Sequence, residues 1–530
     1  MKKRVLVSDS LASEGIDVLK ENDAIEAIYN PGLSRDELLK EIRDVHGLIV
    51  RSATKVTGEV LDAAANLQVI ARAGVGLDNI DVQKATEKGV VVMNTPGGNT
   101  ISTAEQTLAL MFAIARLTPM ADCSMKQQKW DKKQFEGTEL RGKTIAVIGL
   151  GRIGMEVARR CKGLSMRVIG YDPYISGEKL SEHDIEIMDL EDIWGEADFI
   201  TVHTPLTDKT RNIVNKEVIG KMKPAVRVIN CARGGLYNEQ DLYEALKEKR
   251  IAGAALDVFT EEPPRTLPPF HELDNVVLTP HLGASTEEAQ ISVAIEAAQI
   301  VIEYLMTGVA RNSVNFPSLD MHELAFLRPY INLAEQMGAF QGSILNGNVD
   351  TVSIFYSGDF ENYNLSPLTS AYIKGLISPY TEIDVNFVNA SLVARERGIK
   401  VQTGEDTSPQ NYSHLVKITA SGKEGTNELW GTVLGKQLWF VRYDEYSIDF
   451  VPRSGMLVIR NNDVPNVIGS IGTFLGKNGI NIANFHLART ERGGRALMIV
   501  DIDDEIDDAL FKQLSDLPEI LEVKYMKMES

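Results

Sequence analysis

Three side chains in this chain are of the types and spacing needed to take a proton and a hydride from one carbon: Arg233, Glu262 and His281, each following a short apolar run. Arg233 comes after Val228-Ile-Asn-Cys-Ala232 and before Gly234-Gly235. A guanidinium there binds a carboxylate bidentately and polarises a neighbouring carbon-bound oxygen. His281 ends the run Val276-Val-Leu-Thr-Pro280 ahead of a small-residue turn, and imidazole titrates near neutrality, as a base for a hydroxyl proton must. His203, after Phe199-Ile-Thr-Val202, is its rival. A carboxylate in Asp257-Val-Phe-Thr-Glu-Glu-Pro-Pro264 can orient the imidazole and stabilise its charged form, and Glu262 and Glu261 compete for that role on equal terms.

The hydride needs an acceptor. The stretch Thr144-Ile-Ala-Val-Ile148 leads into Gly149-Leu-Gly151-Arg-Ile-Gly154 and a helical pattern, and Asp172 ends the next apolar run. Gly149 suits a tight strand-to-helix turn, Gly151 lets the backbone approach a pyrophosphate, and Gly154 lets helix and strand pack closely. The anion then meets a helix N-terminus. Asp172 accepts from the hydroxyls of an adenosine ribose and repels a 2′-phosphate, so NAD is expected over NADP.

These residues need a frame that brings loop ends together. Apolar runs at 4–9, 47–51, 67–71 and 90–93 alternate with helical patterns, and a second series starts near Leu140, as in βα units of parallel sheets. The expected fold class is α/β: two Rossmann-like or flavodoxin-like parallel-sheet domains, then an α+β intervening domain, then a ferredoxin-like βαββαβ domain. The expected domains are 1–97 plus 286–316, made discontinuous by a returning helix; 98–285, which holds the dinucleotide site; 317–453; and 454–530. In the last, the pattern gives strand 456–460, helix 466–477, strands 480–490 and 495–501, helix 505–514 and strand 519–525.

At 530 residues the chain is too long for one core, and 44% hydrophobic with 24% charged residues is ordinary for a globular protein. A net charge of −19 argues against nucleic-acid and anionic-membrane partners. Three cysteines without CxxC spacing fit a reducing compartment and give no metal signature. No apolar run resembles a signal peptide or reaches 18 uninterrupted residues, so a cytoplasmic location is expected.

The segments Gly149–Gly154, Asn230–Gly235, Asp257–Pro264 and Thr279–Ser285 resemble the signatures of D-isomer-specific 2-hydroxyacid dehydrogenases, as do Val50–Lys55 and Arg72–Asp78. The resemblance spans essentially the whole chain, because long members of the family carry an intervening domain and a C-terminal ACT domain. It implies NAD-dependent oxidation of 3-phosphoglycerate, with Arg233, Glu262 and His281 as the catalytic set. The glutamate is then the one directly before Pro263. Cofactor contacts carried over are Gly149, Gly151, Arg152, Ile153, Gly154, Asp172, Thr204, Cys231, Ala232, Asp257, Gly283 and Ala284. Arg51, Ser52, Ala53, Arg72, Gly74 and Val75, placed after strands of the first domain, would supply cationic partners and backbone N–H groups for the substrate's far phosphate. Lys132, in Trp130-Asp-Lys-Lys-Gln-Phe-Glu-Gly137, stands where the family's arm commonly has an arginine that crosses to the partner subunit.

The ACT resemblance implies L-serine as effector, at domain interfaces, through Asn461, Asp463 and Asn481. Serine-regulated relatives often have histidine or tyrosine in place of Asn461. Without the resemblance, Asp463 is a helix cap and Pro465 a first-turn proline. Lys436, Arg442 and Arg453 are candidates for an anionic effector of the intervening domain, or a solvated basic face. Symmetric self-association to a dimer or tetramer is expected. The alternatives are a hydroxypyruvate or glyoxylate reductase on the same core, and a NAD-sensing corepressor that binds protein partners.

Overall fold

The structure, a computed structural model, describes residues 2–175, 184–264, 269–317, 321–345, 349–360, 362–381, 385–406, 412–423 and 425–527. Its first sheet has five parallel strands, β1 (Lys3–Val7), β2 (Ile25–Tyr29), β3 (Gly47–Val50), β4 (Val69–Arg72) and β5 (Val91–Asn94), in the order β2-β1-β3-β4-β5. The edge strand β2, half polar and missed in the apolar-run reading, pairs along the whole of β1. The first strand stops at Val7, and Asp9 bends away to serve the loop after β3.

The second sheet has seven parallel strands: β6 (Thr144–Ile148), β7 (Arg167–Tyr171), β8 (Glu186–Ile187), β9 (Phe199–Val202), β10 (Arg227–Asn230), β11 (Gly253–Leu256) and β12 (Val276–Leu278). Their order, β12-β11-β10-β9-β6-β7-β8, reverses between β6 and β9. Such a reversal opens a crevice beyond the carboxyl ends of the strands. β6 and β9 are buried along their entire length, as strands covered on both faces must be.

The chain crosses between these two units twice, first from β5 into the helix Thr100–Arg116, which packs on β10 and β11. It returns after β12 into the helix Glu287–Thr307. That helix is capped by Thr286 Oγ, which accepts from Ala289 N–H, and ends at Gly308 with φ +78°. By length and composition it is apolar enough to cross a membrane. Its Ala294, Ala297, Ala298 and Val301 are instead buried against the helix Ser13–Lys20 and the first sheet. A Cβ on Gly15 would lie 2.6 Å from Ala294 O, so the two backbones touch. Asn315 then ties the segment to β5 by accepting from Val92 N–H and donating to Val90 O.

The remaining strands are β13 (Thr351–Gly358), β14 (Lys400–Glu405), β15 (His414–Gly422), β16 (Gly425–Leu434), β17 (Gln437–Tyr443) and β18 (Tyr446–Phe450), then β19 (Met456–Asn462), β20 (Ile482–Arg489), β21 (Arg495–Ile502) and β22 (Ile520–Met526). They form a six-stranded sheet, β14-β13-β15-β16-β17-β18, and a four-stranded antiparallel sheet, β20-β21-β19-β22. Helices Val467–Lys477 and Asp508–Ser515 cover one face of the latter. The second helix starts later than its pattern suggests because Asp507 caps it, accepting from Leu510 N–H.

The other face of the small sheet packs on the six-stranded unit. Met456, Val458, Leu497, Ile499 and Met526 belong to the same core as Phe340, Phe440 and Phe450 of the six-stranded unit. Arg460 pairs with Asp444 across the seam. These two modules therefore share one apolar interior, although composition suggests separate domains.

Candidate active site

The crevice of the second sheet is lined by the glycine turn. Gly149 has φ +91°, and a Cβ there would sit 2.8 Å from His203 O; a Cβ on Gly154 would sit 2.0 Å from Gly149 O. A side chain at Gly154 would push the helix Arg152–Gly163 off its strand, and one at Gly149 would strike the loop after β9. At Gly151 nothing lies within 4 Å of a Cβ, so the space there is open. Gly151 also starts the helix without a side-chain cap, which leaves the first-turn N–H groups of Arg152 and Ile153 directed at that space. Asp172 is fixed by Leu150 N–H and Tyr174 N–H, each donating to one carboxylate oxygen at 2.9 Å. The remaining lone pairs face outward for hydroxyl donors. Thr204 Oγ1 is buried with no partner among the described residues. Open space, free N–H groups, an anchored carboxylate and an orphaned hydroxyl together fit a dinucleotide.

Past the turn lies the catalytic candidate set. Asn230 Oδ1 accepts from Ala232 N–H and its Nδ2 donates to Arg233 O, which stiffens the turn that carries Arg233. A Cβ on Gly234 would meet Phe259 O at 1.9 Å, so this turn presses directly on the loop that holds Glu262. Cys231 is buried and its thiol is pushed up to about 12 by that burial, so it lines the crevice as a small apolar group.

Glu262 Oε2 lies 2.5 Å from His281 Nδ1, and its Oε1 accepts from Phe259 N–H at 2.8 Å. Burial alone would raise this carboxyl. His281, the Phe259 N–H and Arg233 outweigh it and hold Glu262 below the usual carboxylate range. The contact fixes the imidazole by Nδ1 and leaves Nε2 for a reacting hydroxyl. His281 itself has φ +56°, a conformation uncommon for a side-chain-bearing residue. Asp257, fully buried, supports it by accepting His281 N–H on its backbone carbonyl, Thr279 Oγ1 and Leu282 N–H on Oδ1, and Gly283 N–H on Oδ2. Ala284 O accepts from Gln290 Nε2, and Gly283 O from Thr103 Oγ1.

His203 is no rival on this geometry. Its backbone carbonyl lies against Gly149, Nδ1 is buried and unpartnered among the described residues, Nε2 is 3.0 Å from Thr201 Oγ1, and burial pushes it down to about 4. It is a neutral, half-buried histidine.

The first domain supplies positive charge opposite. Asp9 accepts from Arg51 N–H at 2.6 Å and from Thr54 N–H and Oγ1, which shapes the loop bearing Arg51 and the exposed Ser52 and Ala53. Arg72, at the end of β4, is pushed down to about 10, first by burial and then by the charges of Arg233 and Arg51, with Asp78 and Asp9 opposing. Gly74 lies over it, its would-be Cβ 3.2 Å from Arg72 Nη1, and Val75 O accepts from Asn94 Nδ2. The charges of Arg233 and Arg51 both act on Arg72, and such a gathering of guanidiniums suits an anion. Asp78 stands there as a counter-charge, 3.6 Å from Arg233 Nε. Asp78 ends the segment Arg72–Asp78, and its only signal in the sequence is that of an acid near arginines.

Lys132 is elsewhere. It lies on the exposed turn Lys132–Phe135, which packs on the helix Thr118–Lys126 beyond a largely exposed Trp130.

Nor do the three effector candidates meet within one chain. Asn461 is buried with Oδ1 unpartnered among the described residues. Asp463 accepts from Gly493 N–H and Arg489, in that order the causes that hold it below the usual range, and it caps no helix. The helix starts at Val467 with Asn466 as its cap residue, so Pro465 lies outside the first turn. Asn481 donates to Asp503 at the other end of the sheet. On β21, Asn461 pairs with Ala496 and Ile482 with Ile502, six residues away, or roughly 20 Å at ~3.3 Å per residue. Lys436, Arg442 and Arg453 are also dispersed. Lys436 is exposed in a turn, Arg442 lies over Trp430, and Arg453 faces Asp501.

This fold and site define an NAD-dependent D-2-hydroxyacid dehydrogenase. The sequence model of the D-isomer specific 2-hydroxyacid dehydrogenase NAD binding domain matches residues 108–283, that of the D-3-phosphoglycerate dehydrogenase intervening domain matches 326–441, and that of the ACT domain matches 455–519. D-3-phosphoglycerate dehydrogenases of Archaeoglobus fulgidus (41% identity) and Methanocaldococcus jannaschii (42%) each align with 99% of this chain and 100% of their own length. The chain belongs to the D-3-phosphoglycerate dehydrogenase family. Among solved structures, a D-lactate dehydrogenase from Aquifex aeolicus complexed with NAD and lactic acid matches with a TM-score of 0.52 and 26% identity over 59% of this chain and all of that one. A glyoxylate reductase from Paecilomyes thermophila matches at a TM-score of 0.55 and 25% identity, over 59% of this chain and 98% of its own.

Proposed function

We propose that this chain oxidises D-3-phosphoglycerate to 3-phosphohydroxypyruvate with NAD, the first step of phosphorylated L-serine biosynthesis. The observation that carries the reading is the His281–Glu262 pair set opposite Arg51, Arg72 and Arg233: a proton acceptor facing a cluster built for two anionic groups.

NAD, held by the Gly149–Gly154 turn, Asp172, Thr204 and the Cys231–Ala232 strand end, supplies the hydride acceptor. His281 Nε2 takes the C2 hydroxyl proton. Glu262 steadies the imidazolium that forms, through the Nδ1 contact. Arg233 binds the carboxylate and the reacting oxygen, while Arg72 and Arg51, with the backbone N–H of Val75, take the phosphate; the Gly74 N–H is already spent on Arg72 O. Neutral imidazole serves oxidation and imidazolium serves the reverse reaction.

L-serine is the effector that the ACT-type sheet supports. Because Asn461 and Asn481 lie at opposite ends of one sheet, a serine site using both takes them from two chains, and the protein is a symmetric oligomer. Lys132, on its exposed arm, then reaches a partner's phosphate site. Three free cysteines suit the cytoplasm.

The deciding experiment is initial-rate NADH formation from D-3-phosphoglycerate, with NADP and with unphosphorylated D-glycerate in parallel, with and without L-serine. Activity with NAD and the phosphorylated acid, suppressed by serine, is the expected result. A preference for glycerate would make the protein a reductase of the hydroxypyruvate type.

A further inference from the structure

An acid stands among the arginines of the substrate cleft, where an anion would bind more tightly without it. Asp78 belongs to the first domain, on the loop after β4. Its Oδ2 lies 3.6 Å from Nε of Arg233, which the second domain supplies. The pair therefore spans the cleft between the two domains.

The loop that carries Asp78 is held on both sides. Asn79 Nδ2 donates to Arg51 O and Thr54 O, Ile80 N–H donates to Leu77 O, and Asp81 N–H donates to Val56 O. The same loop makes room for the arginine. A Cβ on Gly76 would lie 2.3 Å from Arg233 Nη2 and 2.8 Å from Asp78 Oδ2, so only glycine leaves a floor on which the guanidinium can rest. On its own domain, Arg233 Nη1 donates to Ala232 O at 2.7 Å. Of the five N–H donors of a guanidinium, one faces Asp78 and one is spent on Ala232, which leaves three for a carboxylate and a neighbouring oxygen.

The acid does not hold the fold together. Its side chain is 72% exposed, and an ion pair of that exposure adds little to stability. Nor does it help to bind an anion, because its charge opposes one where Arg51, Arg72 and Arg233 gather. Without it, a substrate phosphate would draw all three guanidiniums toward itself.

On the role given above to Arg233, we propose that Asp78 is a positioning residue that acts through Arg233 from across the cleft. It reserves that guanidinium for the carboxylate and the reacting oxygen and keeps it from the phosphate end. The carboxylate weakens anion binding slightly and holds the fork aimed at the reacting carbon.

The test is steady-state kinetics on the full chain with NAD and D-3-phosphoglycerate. Asp78→Asn should lower kcat about tenfold with KM unchanged or lower, and leave the melting temperature and NADH binding as in the parent. Inorganic phosphate should inhibit this variant at least as strongly as the parent. Asp78→Glu should recover most of the lost rate. In an Arg233→Lys background, Asp78→Asn should change kcat by less than about twofold, because the group it acts through is already gone. A parental kcat in Asp78→Asn, an equal loss in Asp78→Glu, or a tenfold loss repeated in full on Arg233→Lys would overturn the proposal. A parent that oxidises only an unphosphorylated hydroxyacid would instead overturn the function proposed above.

Discussion

The dehydrogenase half and the C-terminal half of this molecule place their candidate site residues in opposite ways. In the first half, short parallel strands end in loops, and Arg51, Arg72, Arg233, Glu262 and His281, drawn from 230 residues of chain, converge beyond the strand ends. In the second half, antiparallel strands share one continuous interior, yet Asn461, Asp463 and Asn481, within 21 residues of one another, are spread along the sheet. A parallel sheet collects function at one end. An antiparallel sheet distributes it along both edges, where a second copy can complete it.

The sharpest way to break this contrast is at His281. His281→Ala should lower kcat by ~10²–10⁴ with NAD binding retained, because a positioned base is lost and the glycine turn is not. Normal turnover would remove His281 as the base. In the other half, Phe450 packs on Phe340, Phe440 and His486 at the seam, so Phe450→Ala should cost roughly 3–5 kcal/mol of unfolding free energy, read by denaturant titration, and leave kcat of the folded protein alone. A change confined to activity would mean that the shared interior is not a stability element.

Arg72→Gln should raise KM for phosphoglycerate about 10- to 100-fold, from a lost charged hydrogen bond of ~1.5–3 kcal/mol, with little change for D-glycerate. Glu262→Gln tests the orienting carboxylate by pH. The folded carboxyl is held below its ordinary value, so its pairing stabilises the protein above the ordinary carboxylate range, and that contribution is lost as pH falls through the depressed value. The variant's melting temperature should therefore fall less steeply on acidification than the parent's. The smallest effect is expected at the effector edge: Asn461→Ala and Asn481→Ala should each blunt serine inhibition, and a mixture of the two chains should regain part of it. Failure to regain any would place the effector site within one chain.

How much of this was legible follows from what each residue touches. His281 and Arg233 end apolar runs, and the glycine turn has a fixed grammar, so both were visible. Glu261 and Glu262 are adjacent and chemically identical, so the residues alone leave them equal; the resemblance points to the one before Pro263, and in the fold it is Glu262 that meets the imidazole and the Phe259 N–H. Asp9 and Asp78 act through loops 40 or more and 150 or more residues distant in sequence, which no local pattern records. Asp463 looked like a helix cap because it precedes a helix; it instead closes the β20–β21 turn through Gly493. The seam between the last two modules did leave a trace. β19 and β21 are apolar at consecutive positions, the mark of a sheet covered on both faces.

The chain passes between the first two domains at two places, after β5 and after β12. A leaf pinned at two points can swing about the line through the pins and about nothing else. On the function proposed above, a molecule gripped by Arg72 on one leaf and Arg233 on the other is a third point off that line, and its length sets where the two leaves come to rest.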